Sequence, residues 1–190
     1  MYNPLVDQLG TLGFIATDAA GGHWIVSCYH VLCRTNGSAF PDGEPVYQPL
    51  DGEPDALVAR LSADRADPVV DCAAARVVDG VLTAAEIFGL GKPGIPAVPV
   101  TGMRVVKSGV ATGITEGVIR EVDGDRVTIA VPDGFPVQYE LTHGGDSGAL
   151  WMERDTRAPV ALHTRGNDTG EELAFGVSIL KIINSLGVFL

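Results

Sequence analysis

The chain has 190 residues, 46% of them hydrophobic, and a formal net charge of -11 at pH 7. This length fits one globular unit or two small lobes that share an interface, and no apolar run reaches the roughly 18 residues needed to cross a bilayer. The 13 Lys and Arg residues are scattered, which argues against nucleic acid and membranes as partners, because such partners need clustered basic side chains.

The predicted secondary structure is almost entirely short strands. The 24 glycines and 12 prolines divide the chain at intervals of about eight to twelve residues, which is typical of an all-β protein. In chain order the predicted strands are 11–17, 23–27, 45–48, 57–63, 69–78, 103–108, 117–122, 126–131, 137–141, 149–152, 160–164 and 174–177. Residues 178–186 have apolar side chains at helical spacing and predict one helix, which ends at Gly187.

A Gly- and Pro-rich segment, residues 89–96, divides the chain into halves of similar size with about six strands each. Two β-rich halves favour a pair of barrels. A single β-sandwich would give the same pattern, so both arrangements stay open at this point.

The start of the chain and its cysteines bear on the cell compartment. Residues 1–8 have neither a basic start nor a continuous apolar stretch, so no secretory signal is predicted. Cys28, Cys33 and Cys72 make an odd count, which favours reduced thiols over a disulfide scaffold. We therefore expect a cytoplasmic location, with the alternative that the chain is a domain of a longer protein.

A glycine-flanked serine is the strongest local signal for catalysis. In Gly-Gly-Asp-Ser-Gly at 144–148 the glycines let the backbone turn sharply, so that N–H groups face the same side as the hydroxyl. This arrangement suits an oxyanion hole in which Gly145 and Ser147 donate their backbone N–H groups. The same residue types also populate ordinary turns, which is the competing interpretation.

Two segments of the first half carry residues that would complete such a site. His30 follows a predicted strand, and Asp71 lies in an apolar run where an unbonded carboxylate would be costly. Each has a structural alternative, a half-buried imidazole for the first and a turn aspartate for the second. Histidine, aspartate and serine in this order, divided between two halves, predict a Ser-His-Asp site where two lobes meet.

These segments resemble the chymotrypsin-like serine protease family. The likeness rests on a histidine at the end of a strand, an aspartate before Ala-rich apolar residues, and Gly-Asp-Ser-Gly; Lys-Ser-Gly at 107–109 and Thr-Gly at 112–113 are similar to bacterial members. It implies two six-stranded antiparallel β-barrels, residues 1–94 with His30 and Asp71, and residues 95–190 with Ser147 and a short C-terminal helix. It also implies peptide hydrolysis through an acyl-enzyme, without a metal or an organic cofactor.

The resemblance assigns a structural role to Lys107. Nothing in the sequence resembles the cleaved start of animal relatives, whose new amino terminus pairs with the aspartate of Gly-Asp-Ser-Gly. In bacterial relatives a basic side chain does this instead, and Lys107 falls at the matching place. We therefore predict an ion pair between Lys107 and Asp146 that shapes the oxyanion loop; the alternative is a solvated strand lysine.

The resemblance also bears on the substrate. Trypsin-like relatives have an aspartate six residues before the nucleophile, where this chain has Leu141, so a basic residue before the scissile bond is not expected. The segment around His163, Thr164 and Gly166 resembles that of bacterial glutamyl endopeptidases, and Thr142 matches a polar pocket position there. These four residues are the predicted substrate-binding set, and the leading expectation is Glu or Asp before the scissile bond. The alternative is a structural role for His163.

Two other functions compete with a peptidase. A catalytically silent chymotrypsin-like binding module would normally have lost a triad residue, and all three are present here. A metal site at Cys28, His30 and Cys33 lacks a fourth ligand at favourable spacing. The expected partner is therefore a polypeptide substrate. An intracellular endopeptidase must be restrained or narrowly specific, so a regulatory protein is a further possible partner.

Overall fold

A computed structural model describes residues 1–3, 8–33, 42–50, 53–167 and 170–190. Strands predominate in this part of the chain, and neither of its two helices is long and apolar enough to cross a lipid bilayer. In chain order the elements are β1 (Tyr2–Asn3), β2 (Gln8–Leu9), β3 (Phe14–Thr17), β4 (His23–Ser27), α1 (Tyr29–Leu32), β5 (Pro45–Leu50), β6 (Glu53–Asp67), β7 (Cys72–Val77), β8 (Arg104–Gly109), β9 (Gly113–Asp123), β10 (Arg126–Ala130), β11 (Leu150–Glu153), β12 (Pro159–Gly166), β13 (Leu173–Ser178) and α2 (Ile179–Leu186).

The first lobe is an antiparallel sheet with the strand order β2-β1-β5-β6-β7-β4-β3. The long strand β6 pairs with β5 through its first part and with β7 through its second part. A register shift between Leu61 and Ala66 accompanies the second pairing, and such irregularities bend a strand. Three consecutive alanines of β7, residues 73–75, are fully buried, which lets core side chains approach the sheet closely.

The second lobe is a closed six-stranded barrel with the order β10-β13-β12-β11-β8-β9. Strands β9 and β13 alternate as half-buried strands do: in β9 the buried positions are Thr115, Gly117 and Ile119. The barrel core includes Trp151 and Ile129, both fully buried.

Helix α2 follows the last strand of the barrel, yet its buried side chains belong to the core of the first lobe. Ile179, Ile182 and Leu186 pack in that cluster with residues of β3, β4 and β7, and side chains of β11 and β12 join it from the barrel. Gly187 then takes a left-handed conformation at φ 63° and ends the helix. Beyond it, Phe189 pairs with Thr17 of β3 through two backbone hydrogen bonds of 2.7 and 2.8 Å. The final segment thus fastens the second half of the chain to the first sheet.

These observations confirm the predicted all-β, two-lobed fold with a short C-terminal helix. In the described residues the first lobe is a seven-stranded sheet, where the resemblance implies a six-stranded barrel: five strands correspond to predicted ones, and two strands of only two residues extend the edge. The predicted strand 137–141 is wrong. This segment is a turn in which the Tyr139 N–H donates to the Pro136 carbonyl, and Val137 is fully exposed. The one-turn helix α1 is not predicted by the sequence.

Candidate active site

A cleft of about 680 Å³ lies between the two lobes and contains residues of both. His30 and Asp71 line it from the first lobe, and Ser147, Thr164 and Arg165 line it from the second. The structure therefore brings the three predicted catalytic residues to one solvent-open site.

His30 and Asp71 are held together by three hydrogen bonds. His30 lies on α1, and Asp71 lies in the turn before β7 with a left-handed φ of 61°. The carboxylate accepts the backbone N–H of His30 at 3.0 Å, and the ring nitrogen Nδ1 lies 2.8 Å from Asp71 Oδ2 and 3.0 Å from Oδ1. Because a carboxylate only accepts, Nδ1 carries the proton, and the lone pair of the neutral ring is on Nε2.

The hydroxyl of Ser147 points to the wall of the cleft. Its Oγ donates to the carbonyl of Thr164 at 3.1 Å. Within the described ranges no hydrogen bond joins Ser147 to the imidazole of His30. Catalytic hydrogen bonds are often long or poorly aligned before substrate binds, and rotation about the Ser147 side chain would redirect the hydroxyl.

The backbone around Ser147 is fixed by a residue of the first lobe. Thr11 donates its N–H to the Ser147 carbonyl at 2.9 Å, and its hydroxyl donates to the Gly145 carbonyl at 2.9 Å. The same hydroxyl accepts the Val110 N–H at 3.0 Å. Across the described residues, the N–H groups of Gly145 and Ser147 have no protein acceptor, so both are available to a substrate oxygen.

Gly148 is required by space as well as by conformation. Its φ is 94°, and a Cβ there would lie 2.1 Å from Ser27 Oγ and 2.3 Å from the Thr11 carbonyl oxygen. A side chain would therefore push the serine turn away from the first lobe. Glycine is therefore required after the serine because the two lobes pack closely there, and not only because the turn has a positive φ.

The predicted ion pair of Lys107 and Asp146 is present and completely buried. Lys107 Nζ lies 2.8 Å from Asp146 Oδ2, and both side chains are 0% exposed. Further donors to this carboxylate are the Thr112 hydroxyl and the backbone N–H groups of Ala111, Thr112 and His143.

These contacts keep Asp146 ionised. Burial alone would raise the pKa of Asp146, but the hydrogen bonds from Lys107 and Thr112 outweigh it and hold the pKa at about 2. Burial lowers the pKa of Lys107, and the carboxylate opposes that shift. Gly109 makes the arrangement possible, because a Cβ there would lie 2.1 Å from Asp146 Oδ1.

The four predicted substrate-binding residues are not equally accessible. Thr164 lines the cleft, whereas His163 and Thr142 are only 1% and 8% exposed. Gly166 lies against Thr142, so that a Cβ on this glycine would be 2.8 Å from the threonine methyl group. In this conformation the predicted pocket is closed in front of His163.

A chain of hydrogen bonds fixes the buried imidazole of His163. The Trp151 indole N–H donates to Nδ1 at 3.4 Å, so Nε2 carries the ring proton and donates to Thr142 Oγ1 at 2.7 Å. The Thr142 hydroxyl in turn donates to Asp146 Oδ2 at 3.4 Å. Burial lowers the pKa of His163 to about 3, and the charge of Lys107 adds to the effect.

We expect His163 to make the free energy of unfolding depend on pH. Its pKa is about 3 in the folded protein against an ordinary 6.5, so between these values the unfolded chain binds the extra proton. The free energy of unfolding should therefore fall as pH falls through this window, by at most about 1.4 kcal/mol per pH unit. Urea unfolding from about pH 7 to about pH 4.5 measures this slope. His163→Gln should flatten it, whereas His23→Gln, at an exposed histidine, should not; equal slopes in both variants would contradict the assignment.

The sequence does not predict that three further residues lie near the site. Thr11 acts across the lobe interface and precedes an ordinary strand. The Cys28 thiol is fully buried and donates to the His163 carbonyl at 3.1 Å. Arg165 lines the cleft with its guanidinium 4.6 Å from the centre of the Phe175 ring. Only the fold brings these side chains to the site.

Comparison with known proteins places this geometry in a structural class. No family model matches the sequence, and no curated protein matches it. Among solved structures, a Nocardiopsis protease is 18% identical with a TM-score of 0.67, covering 94% of this chain and 90% of its own. Thermobifida fusca protease A is 18% identical with a TM-score of 0.66, covering 97% and 92%.

A third solved structure is described as a glutamic acid specific serine protease that uses a histidine triad in substrate binding. It is 19% identical with a TM-score of 0.67, and the match covers 95% of this chain and 92% of that one. At such identities the likeness concerns the course of the backbone. The chain therefore has the fold of the bacterial chymotrypsin-like serine proteases.

Proposed function

We propose that the chain is a serine endopeptidase in which Ser147 is the nucleophile, His30 the general base and Asp71 its orienting carboxylate. The observation that carries the proposal is the His30–Asp71 pair: Nδ1 is bound to the carboxylate, and the proton-accepting nitrogen Nε2 makes no hydrogen bond to any described residue of the cleft that Ser147 also lines. The fold of the chain, shared with serine proteases, supports the same function.

In the proposed mechanism, the Ser147 hydroxyl leaves the Thr164 carbonyl, gives its proton to Nε2 of His30 and attacks a peptide carbonyl. Asp71 stabilises the resulting imidazolium through Nδ1. The N–H groups of Gly145 and Ser147 bind the oxyanion, at typically about 3–4 kcal/mol per donor. His30 then protonates the leaving amine, and water hydrolyses the acyl-enzyme.

Labelling with a fluorophosphonate probe tests the proposal directly, because such probes react with activated serines. The parent chain should incorporate one probe molecule, and Ser147→Ala should incorporate none. Ser108→Ala, at a serine outside the cleft, is the matched control and should label like the parent. Labelling that persists in Ser147→Ala would refute the assignment.

A second function has one observation in its favour. The hydroxyl of Ser147 is bonded to the Thr164 carbonyl and not to His30, which is the state expected of a catalytically silent binding module. The same labelling experiment separates the two, since a silent module leaves the probe unreacted in the parent chain as well.

We further propose that the endopeptidase prefers Glu or Asp before the scissile bond. Thr142 and the neutral Nε2–H of His163 form a pair of polar groups behind the serine, and a structural neighbour is described as glutamic acid specific. In the closed pocket the ring N–H of His163 is bound to Thr142 and the hydroxyl proton of Thr142 to Asp146. Once Thr142 moves away from Gly166, a substrate carboxylate would accept hydrogen bonds from both the His163 ring N–H and the Thr142 hydroxyl.

A panel of peptides that differ only before the scissile bond measures this preference. We expect kcat/KM for Glu or Asp to exceed that for Gln or Ala by at least about tenfold, because a carboxylate accepts charge-assisted hydrogen bonds from both donors, whereas a Gln amide has one neutral acceptor oxygen and Ala has none. Thr142→Val should reduce the ratio. A preference for uncharged residues would end the specificity proposal and leave the peptidase proposal intact.

A further inference from the structure

A buried thiol lies beside the His30–Asp71 pair. Cys28 is 0% exposed and follows the last residue of β4, two residues before His30. One ligand atom each of Cys28, His30 and Asp71 lies within 4.8 Å of the other two, and no other group of three or more potential ligands is this compact in the described part of the chain.

The three donors are of the kinds that zinc prefers. A thiolate, an imidazole nitrogen and a carboxylate oxygen bind Zn²⁺ at about 2.3, 2.0 and 2.1 Å, which in a tetrahedral site places the donor atoms about 3.2–3.7 Å apart. Separations of up to 4.8 Å therefore need a contraction of about 1 Å, and His30 Nδ1 and Asp71 Oδ2, now 2.8 Å apart, must separate by about 0.5 Å to admit the ion. The side chains of His30 and Asp71 are 31% and 30% exposed, so a cation can enter from the cleft and keep an open fourth position there.

The ligands are preorganised by the fold. Cys28 is held at the end of β4, His30 by its backbone bond to Asp71, and Asp71 by the turn before β7, whereas the bond from the Cys28 thiol to the His163 carbonyl is given up when the thiol loses its proton. Each ligand is therefore already fixed within reach of the others, and binding needs a local adjustment rather than a refolded segment.

We propose that Cys28, His30 and Asp71 form a site for a thiophilic divalent cation such as Zn²⁺, and that its occupation switches the catalytic histidine off. Zn–S, Zn–N and Zn–O bonds form at Cys28 Sγ, His30 Nδ1 and Asp71. The thiol proton leaves to solvent, and the ring proton passes from Nδ1 to Nε2. Nε2 then faces Ser147 as a donor and cannot accept the hydroxyl proton. The switch rests on the proposed function, whereas the binding of the metal does not.

Cadmium titration of the full chain tests the site without relying on activity. Cd²⁺ bound to a thiolate gives an ultraviolet charge-transfer band, which should saturate at one equivalent in the parent and in Ser147→Ala. Cys28→Ala should lose the band. Cys33→Ala and Cys72→Ala, which remove the other two buried thiols, are matched controls and should keep it.

Misfolding of Cys28→Ala would also remove the band, and circular dichroism would detect it. A second variant therefore tests the site independently. His30→Ala retains the thiol and should weaken cadmium binding by more than about 100-fold, the upper end of the loss caused by removing an outer-shell partner. A band absent from the parent chain, or unchanged in Cys28→Ala or His30→Ala, would overturn the site.

Inhibition is measured separately on an active preparation. Zn²⁺ should inhibit peptide cleavage by the parent, Cys33→Ala and Cys72→Ala, and a chelator should reverse it. Cys28→Ala should resist inhibition relative to its own metal-free rate. Equal inhibition of Cys28→Ala and the parent would refute the switch. A chain that binds cadmium but cleaves no peptide would instead contradict the proposed function.

Discussion

Asp71→Asn is expected to lower kcat/KM by about 10⁴-fold while the protein stays folded. Asparagine tolerates the left-handed φ of 61° at this position. Its carbonyl oxygen can still accept the backbone N–H of His30, so its NH₂ group faces Nδ1 as a donor. The imidazole must then present a lone pair at Nδ1 and carry its proton on Nε2. In that tautomer His30 cannot act as a base toward Ser147.

Steady-state cleavage of a peptide substrate measures the effect, with Asp67→Asn as the matched control. Asp67 precedes the same turn and accepts hydrogen bonds from the N–H groups of Val69 and Val70, away from the histidine ring. Its replacement removes the same charge and should cost stability rather than catalysis. A loss below about tenfold in Asp71→Asn would remove Asp71 from the proposed mechanism.

Lys107→Met is expected to lower the free energy of unfolding by about 3–5 kcal/mol. Methionine nearly preserves the volume of the side chain, but it leaves the carboxylate of Asp146 buried without its counter-charge. Because the hydrogen bond from Lys107 is the largest contribution that lowers the pKa of Asp146, the variant must either bury an unpaired carboxylate or protonate it and rearrange its hydrogen bonds. Either outcome disturbs the loop that holds Gly145 and Ser147, so activity should fall with stability.

Urea unfolding at neutral pH measures this loss, and Arg104→Met provides the comparison. Arg104 lies on the same strand and pairs with Glu116 at 3.3 Å, but its side chain is 51% exposed. An exposed pair contributes about 0–1 kcal/mol. Similar losses in the free energy of unfolding would show that the buried Lys107–Asp146 pair contributes no more to stability than an exposed pair.

The sequence predicts the parts of this molecule that depend on local pattern. The strand 23–27 is found with the predicted bounds, because its apolar residues lie between clear turn signals. The helix before Gly187 is also found, shorter by one residue at its start. The Lys107–Asp146 contact is predicted from a family resemblance, since spacing alone could not bring together two residues 39 positions apart in the chain.

The failures have physical causes. The segment 137–141 has the composition of a strand, but it is a turn whose Tyr139 hydroxyl accepts the Glu116 N–H and whose Leu141 is buried. Helix α1 has only four residues, too few for a periodic signal. The positions of Thr11 and Cys28 at the site depend on contacts between segments far apart in sequence. The closed state of the pocket before His163 depends on packing between Thr142 and Gly166.

The attachment of α2 to the first sheet has a consequence for biosynthesis. Residues 179–189 leave the ribosome after every strand of both lobes, yet they supply Ile182 and Leu186 to the core of the lobe made first. Until then the nascent sheet has an uncovered apolar face, which favours chaperone binding or aggregation. Translation products that end before Ile179 should therefore be insoluble rather than half-functional, and a competent cleft should arise only when synthesis has passed the helix.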